Sequence, residues 1–290
     1  MGWLARTRHF VSELISVIVT TYNREDALDA VLRSLAHQSE QNFEVVVADD
    51  GSTAKTAALL EYWQGKIGKR LAHVWHEDRG FRVAEIRNRA ILVARGAYCL
   101  FLDGDCIVRP DFVAAHRRLA EAGAFVTGNR VLLSRELTGK ILREKLAPET
   151  WPLNRWIAER RRGGINRLAA LLYLPLGPLR RLRQGQWRGA RSCNLAVWRS
   201  DLDRVDGFDA DYTGWGKEDS DIIVRLLHAG VRRKDGAFAT GVLHLWHADY
   251  DRDRLAENER KLSDSLADGR VRARRGLSAL GAAPSPALAG

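Results

Sequence analysis

Disulfide-type cysteine spacing, long apolar runs and acidic residues are all scarce in this chain of 290 residues. Its three cysteines, Cys99, Cys106 and Cys193, are odd in number and show no C-x-x-C spacing. That argues against a disulfide scaffold or a structural zinc site and makes a reducing compartment the default. The longest apolar run, "LAALLYLPL" at 168–176, falls far short of the roughly 20 residues that a membrane-spanning helix requires. The first fourteen residues hold no sustained apolar segment of the secretory kind, so a cytoplasmic protein is expected. No internal repeat is present. The acid shortage, 36 Asp and Glu against 46 Lys and Arg, leaves a net charge of +10. Such a charge points to an anionic partner: nucleic acid, a phosphorylated small molecule or an acidic membrane face.

What the sequence does hold is a regular alternation. "ISVIVTTYN" (15–23), "FEVVVADDGS" (43–52) and "AYCLFLDGD" (97–105) are apolar strands breaking into polar loops. Apolar residues recur at helical spacing after 24, over 83–95 and over 110–122. Strands alternating with helices predict an α/β fold with a mostly parallel central sheet flanked by helices. Each of the three strands ends in a polar cluster: Thr20 to Asn23, then Asp49 and Asp50, then Asp103 and Asp105. Ligands of open α/β sheets bind at the carboxyl ends of strands, so these groups should share one crevice. Two carboxylates spaced as Asp103 and Asp105 can hold one divalent cation while contacting a nucleotide, although D-x-D also serves as plain turn chemistry.

Residues 135–191 differ in character. They hold 14 Arg or Lys against four Glu, an excess equal to the net charge of the whole chain, together with Trp151, Trp156 and Trp187. Such a basic, tryptophan-bearing helical insertion suits the headgroup level of an anionic bilayer. A solvated helical hairpin packed on the core is the plain alternative. Beyond it, 193–209 reads as strand and turn, 218–230 as an amphipathic helix, 240–247 as a strand, and the final stretch from 276 as a disordered tail. The expected organisation is a nucleotide-binding half (1–134), the insertion (135–190), an acceptor and catalytic half (191–250) and a C-terminal helix with its tail (251–290).

In order and spacing, "VIVTTYNRE", "VVVADDGS", "RNRAILVARGAYCLFLDGD" and "GFDADYTGWGKEDSDIIVRLLHAG" resemble the family 2 glycosyltransferases of the GT-A (Rossmann-like) fold. The later part is similar to the galactosyltransferase-like region shared by β-1,4-galactosyltransferases and bacterial chondroitin polymerase. The resemblance covers about 14–133 and 189–248. It implies an inverting, metal-dependent hexosyltransferase using a UDP-sugar and a glycan or lipid-linked glycan acceptor. It also implies a place in lipopolysaccharide or other surface-polysaccharide synthesis, and the basic, tryptophan-bearing insertion adds the expectation of a peripheral place on the cytosolic face of the inner membrane.

Residue by residue, the resemblance implies that Asp50 binds the uracil with Thr21 and Tyr22 nearby. Arg87 and Arg89 would lie toward the nucleotide, Asp103 near the ribose, and Asp105 on the metal. His244 or His247 would complete the metal site, and an imidazole in an oxygen-rich set favours Mn2+ somewhat over Mg2+. Residues three apart on an extended strand face opposite ways, so both histidines bind only if the backbone turns. Asp219 would be the catalytic base, with Glu218 orienting the acceptor hydroxyl and Asp221 capping the helix or facing solvent. Trp215 with Gly216 would form a sugar platform, the glycines letting the loop move, and Asn194 and Arg191 would border the acceptor. An acidic helix N-terminus explains Glu218 and Asp219 without chemistry, but leaves "GWG" unaccounted for.

Two readings compete. A nucleotidyltransferase lacks its glycine-rich basic phosphate loop here. A nucleic-acid-binding protein would have its phosphates repelled by the strand-end carboxylates unless these held metal, so nucleic acid is not an expected partner.

Overall fold

The apolar runs form the middle of the sheet, where the strands Ile15–Thr21, Phe43–Asp49, Tyr98–Asp103 and Asn194–Trp198 are buried on both faces. A computed structural model of the protein describes residues 13–281. The first half runs β1 (Ile15–Thr21), α1 (Glu25–Ala36), β2 (Phe43–Asp49), α2 (Ala54–Gln64), β3 (Leu71–Trp75), α3 (Val83–Val93) and β4 (Tyr98–Asp103). Then come β5 (Cys106–Val108), α4 (Phe112–Leu119), β6 (Ala124–Thr127), β7 (Arg130–Leu132), α5 (Arg135–Arg143) and α6 (Leu153–Arg161). The second half contains β8 (Asn194–Trp198), α7 (Arg199–Val205), α8 (Glu218–His228), β9 (Arg232–Asp235), β10 (Val242–His244), α9 (Leu255–Asp268) and α10 (Leu277–Gly281).

Seven strands form one sheet in the order β3-β2-β1-β4-β8-β6-β9. The first four are parallel, and β8 is antiparallel to both of its neighbours. A smaller sheet, β5-β10-β7, lies beside it. The period of two along β1 divides the core: Val17 and Val19 pack with Leu28, Leu32, Leu60 and Phe112 of α1, α2 and α4. Ile18 packs with Ile86, Leu202, Ile222 and Leu226 of α3, α7 and α8. These side chains are buried, each contributing roughly 1.5–3 kcal/mol relative to exposure.

The sheet crosses the boundary expected near residue 134, because β8 is inserted between β4 and β6. The basic stretch is only partly helical. After α5 and α6, residues 162–193 form no α-helix and contain two short 3-10 turns, Ala169–Leu171 and Gly177–Arg181. Its tryptophans pack on the core, as the plain alternative has it: Trp156 is 4% exposed, Trp151 packs against it, and Trp187 packs on the other core. The expected tail is also ordered at its start. Leu277 is buried, its N–H donates to Asp206 O at 2.9 Å, and Ser278 Oγ donates to Asp206 Oδ2 at 2.7 Å. The remainder of that tail and the N-terminal stretch up to residue 12, where no secretory segment was expected, lie outside the described residues. Cys99, Cys106 and Cys193 are buried free thiols, and no described helix is long and apolar enough to cross a membrane.

Candidate active site

Parallel pairing in register brings the strand ends together: Thr21 lies beside Asp49, and Thr20 beside Asp103. At that edge the chain leaves the sheet on each crossover, and a crevice of about 710 Å³ opens. Thr21, Tyr22, Asp50, Arg87, Asp103 and Asp105 line one side. Arg191, Trp215, Gly216, Glu218, Asp219, His244 and His247 line the remainder.

Asp50 is 5% exposed and held from two directions: its Oδ1 lies 2.6 Å from His76 Nε2, and its Oδ2 accepts from Arg82 N–H at 2.9 Å. Thr21 Oγ1 is buried without a hydrogen-bond partner in the protein, the kind of group a bound ligand satisfies. The exposed Tyr22 donates its hydroxyl to Asp78 at 2.9 Å.

Between the two acids of the D-x-D, Gly104 N–H donates to Thr20 O at 2.7 Å, and a side chain there would press on that carbonyl at 2.9 Å. Glycine is therefore required for β4 to turn tightly against β1 and present both carboxylates. Asp103 accepts from Arg87 Nη2 at 3.2 Å.

Asp105 meets the histidines instead. β10 ends at His244, and the irregular chain that follows brings both rings to one carboxylate: His244 Nε2 lies 3.6 Å from Asp105 Oδ1 and His247 Nε2 lies 3.6 Å from Oδ2. One donor atom from each of the three residues falls within 4.8 Å of the others. Burial holds the His244 imidazole below its ordinary value against the pull of Asp105, which keeps its nitrogen free to donate to a cation. One carboxylate and two imidazoles suit a first-row divalent metal.

On the opposite wall, the "GWGK" turn carries positive φ at Gly214 (72°), Gly216 (104°) and Lys217 (77°). For Lys217 this left-handed conformation stores strain, offset by an ion pair with Glu259 at 3.1 Å. The turn is wedged against Arg254 and Leu255 at the start of α9, so its glycines serve close packing here. It delivers Glu218 and Asp219 to the first turn of α8, at the crevice. Glu218 is 8% exposed and accepts from Arg87 Nη1 at 3.2 Å. Burial, then the nearby Asp219, push its carboxyl up to about 7 against the opposing pull of Arg87. Asp219 is half-buried and accepts a long 3.4 Å bond from Ser220 Oγ, with no ion pair to it among the described residues. Trp215 lines the crevice with the Arg252 guanidinium 5.2 Å from its ring.

Two expected site residues lie elsewhere. Arg89, two positions after Arg87 on α3, is rotated away by helical geometry and binds Glu85 at 2.9 Å. Asn194 is 1% exposed, bonded through Nδ2 to Thr240 O and Asn129 O and through Oδ1 to His116 Nε2 at 3.1 Å. Its bonding is internal, and it does not line the crevice. Asp221 is neither a cap nor solvated: it is fully buried and ion-paired to Arg225 at 2.7 Å. The sequence reading overlooked His76, Trp246, Tyr250 and Arg252. His76 had a usable signal, since it follows β3, whose Trp75 pairs in register with Asp49.

Comparison with known proteins bears on this geometry. Residues 16–170 match the sequence model described as Glycosyl transferase family 2. The chain belongs to that family. Residues 183–248 match a second model, described as the N-terminal domain of galactosyltransferase. A validoxylamine A glucosyltransferase of Streptomyces hygroscopicus subsp. limoneus is 33% identical over 231 residues, covering 75% of this chain and 49% of that protein. Chondroitin synthase of Pasteurella multocida is 28% identical over 239 residues, covering 78% of this chain and 24% of the synthase. The chain thus spans half or less of these relatives' length. Among solved structures, S. aureus TarS aligns with a TM-score of 0.59 at 17% identity, covering 88% of this chain and 41% of TarS. The mannosyltransferase PcManGT of Pyrobaculum calidifontis, in complex with GDP-Man and Mn2+, aligns with a TM-score of 0.56 at 18% identity, covering 94% of this chain and 76% of that chain. These likenesses establish the GT-A fold for this family 2 chain.

Proposed function

We propose that this family 2 chain transfers a hexose from a UDP-sugar, with inversion, to a hydroxyl of a glycan acceptor. The observation that carries the reading is the convergence on one crevice of strand-end groups, the Asp105, His244 and His247 cluster, and the acidic start of α8. TarS has been solved with UDP and with UDP-GlcNAc, which supports a uridine donor here.

In this reading Asp50, Thr21 and Tyr22 take the uracil and Asp103 the ribose, with Arg87 holding Asp103 in place. Asp105, His244 and His247 would hold Mn2+ or Mg2+, which when bound supplies positive charge for the leaving diphosphate. Asp219, free of protein counter-ions, accepts the proton of the acceptor hydroxyl. The hydroxyl oxygen attacks the anomeric carbon from the face opposite the diphosphate. The bond from that carbon to the diphosphate oxygen breaks, UDP leaves, and the configuration inverts. Trp215 and Gly216 offer the acceptor sugar a platform, while Arg191 and Glu218 border it. The acceptor is a surface-polysaccharide or lipopolysaccharide-type glycan, met at the cytosolic face of a membrane.

A screen for UDP release across UDP-sugars, with and without Mn2+, tests donor and metal together. Metal-dependent release with one or a few sugars is expected, abolished in folded Asp219→Asn. Release of pyrophosphate instead of UDP would establish a nucleotidyltransferase, and full turnover by Asp219→Asn would remove the base.

A further inference from the structure

Between Glu159 and Asp201 the chain carries ten arginines and not one acidic residue. The middle of this interval also exposes large apolar side chains: Leu172, Tyr173, Leu174, Leu179 and Leu182, between 39% and 79% exposed. These are five of the fourteen large hydrophobics exposed among the described residues, gathered within eleven positions. Scattered singly, such residues need no explanation, but a cluster on an acid-free stretch does.

The segment is fastened in place. Arg180, 5% exposed, donates through Nη1 to Asp235 O at 2.7 Å and Ala237 O at 2.8 Å, and through Nη2 to Leu174 O at 3.2 Å. Leu174 N–H donates to Phe238 O at 3.0 Å. Further along, Arg233 N–H donates to Gln184 O at 2.9 Å, and its Nη1 to Gln186 O at 3.1 Å and Arg188 O at 2.9 Å. Two inward arginines thus strap residues 174–188 along β9, the outer strand of the large sheet. With the strap's polar backbone satisfied inward, its leucines are presented outward beside Arg181, Arg183 and Arg188, all exposed. Immediately afterwards the chain enters the crevice wall at Gly189 to Cys193.

We infer that this strap is a docking surface for an anionic lipid bilayer, with Leu179 and Leu182 entering the headgroup boundary and the exposed arginines meeting lipid phosphates. Apolar insertion and basic attraction act together in interfacial binding, and long arginine stems let the charge stay at the polar level while the apolar neighbours sink. The absence of any acidic residue over the interval selects an anionic partner, and the exposed leucines select one with an apolar interior. The inference rests on the proposed transferase reading only for its purpose, which is to bring the crevice to acceptors carried on lipid. The tryptophans once expected to do this are inside the fold.

The test is co-sedimentation of the full chain with phosphatidylcholine vesicles, with and without about one third phosphatidylglycerol. Wild type should bind the anionic vesicles at least tenfold better, with binding falling as salt rises. Leu179→Ser with Leu182→Ser, and separately Arg183→Glu with Arg188→Glu, should each weaken binding about tenfold or more. Turnover on a small water-soluble acceptor should be unchanged in both variants. Equal binding by wild type and both variants would overturn the inference, as would wild type failing to bind anionic vesicles. A wild-type dimer in sedimentation velocity that the leucine variant dissociates would give the surface to a second copy and overturn it too. Vesicle binding does not require UDP-sugar turnover, so failure of the transferase reading leaves a separate signature.

Discussion

Arg87 and Glu218 lie 131 positions apart in the chain and meet at 3.2 Å in the crevice, joining α3 to the first turn of α8. The same guanidinium reaches Thr20 Oγ1 at 3.1 Å and Asp103 at 3.2 Å. One buried cation therefore positions an acid from each half. Removing it leaves two enclosed carboxylates without their counter-charge, which typically costs about 3 kcal/mol or more.

Arg87→Met should accordingly lower stability by about that amount, and Arg87→Lys should recover little, because a single ammonium cannot reproduce the three-way planar fork. Glu218→Gln in the Arg87→Met background should recover part of that loss, because it removes one of the two stranded carboxylates. Urea denaturation of the four proteins gives the coupling directly, and a coupling under about 0.5 kcal/mol would mean that the contact is incidental.

His76 provides a second test, because it holds Asp50 at 2.6 Å from behind the crevice. With that bond lost, Asp50 keeps only the Arg82 N–H at 2.9 Å and is held less firmly toward the base proposed to bind there. His76→Ala should weaken UDP binding roughly tenfold, the effect of about 1.4 kcal/mol, while kcat at saturating donor stays near wild type. His76→Gln, which can donate from its amide, should restore most of the affinity. Calorimetric titration with UDP measures this; unchanged affinity in the alanine variant would disprove the positioning role.

These two residues show why the sequence was readable in some places and opaque in others. β1, β2 and β4 are apolar on both faces and stop abruptly at Thr20, Asp49 and Asp103, so the strands and their shared crevice were visible from local pattern alone. β3 was not, because after the buried Leu71 "LAHVW" alternates between half-buried and exposed positions, and His76 gains meaning only from the pairing of β3 with β2. α7 starts at Arg199, directly after β8, with no turn signal between them to separate helix from strand in the sequence. Asn194 sits where an acceptor contact was expected, yet His116, Asn129 and Thr240 converge on it from distant segments. The meeting of Asp105, His244 and His247 depended on the course of the chain after β10, which spacing could neither supply nor forbid.

Asp221 illustrates a residue whose place in an acidic motif concealed a structural role. It is fully buried and paired to the fully buried Arg225, with Tyr212 donating its hydroxyl at 3.3 Å and Arg270 Nη2 at the same distance. Asp221→Ala should destabilise the fold by roughly 3–5 kcal/mol by leaving Arg225 charged and unpaired in the core. Activity per folded molecule should persist. Asp221→Leu with Arg225→Met should regain much of the stability, since an apolar pair of similar volume removes both buried charges. Thermal unfolding alongside specific activity separates the possibilities, and a stable but inactive Asp221→Ala would assign the residue to chemistry.

Glu218 makes stability depend on pH with a definite sign. Its carboxyl titrates near 4.5 when unfolded and is raised to about 7 in the folded protein, first by burial and then by Asp219. Below about pH 4.5 the group is protonated in both states and its titration contributes nothing. Between the two values the unfolded chain ionises more readily than the folded one, so stability falls as pH rises. Well above about pH 7 the loss is complete, on the order of 3 kcal/mol. Glu218→Gln removes the ionisation. It should therefore be neutral or slightly destabilising near pH 5, where the bond from Arg87 is weakened, and more stable than wild type near pH 8. Chemical denaturation in EDTA at the two pH values measures the difference without a bound cation lowering the carboxyl. If the variant shifts stability by the same amount at both, the buried carboxyl is not the group that titrates, and its raised value is wrong.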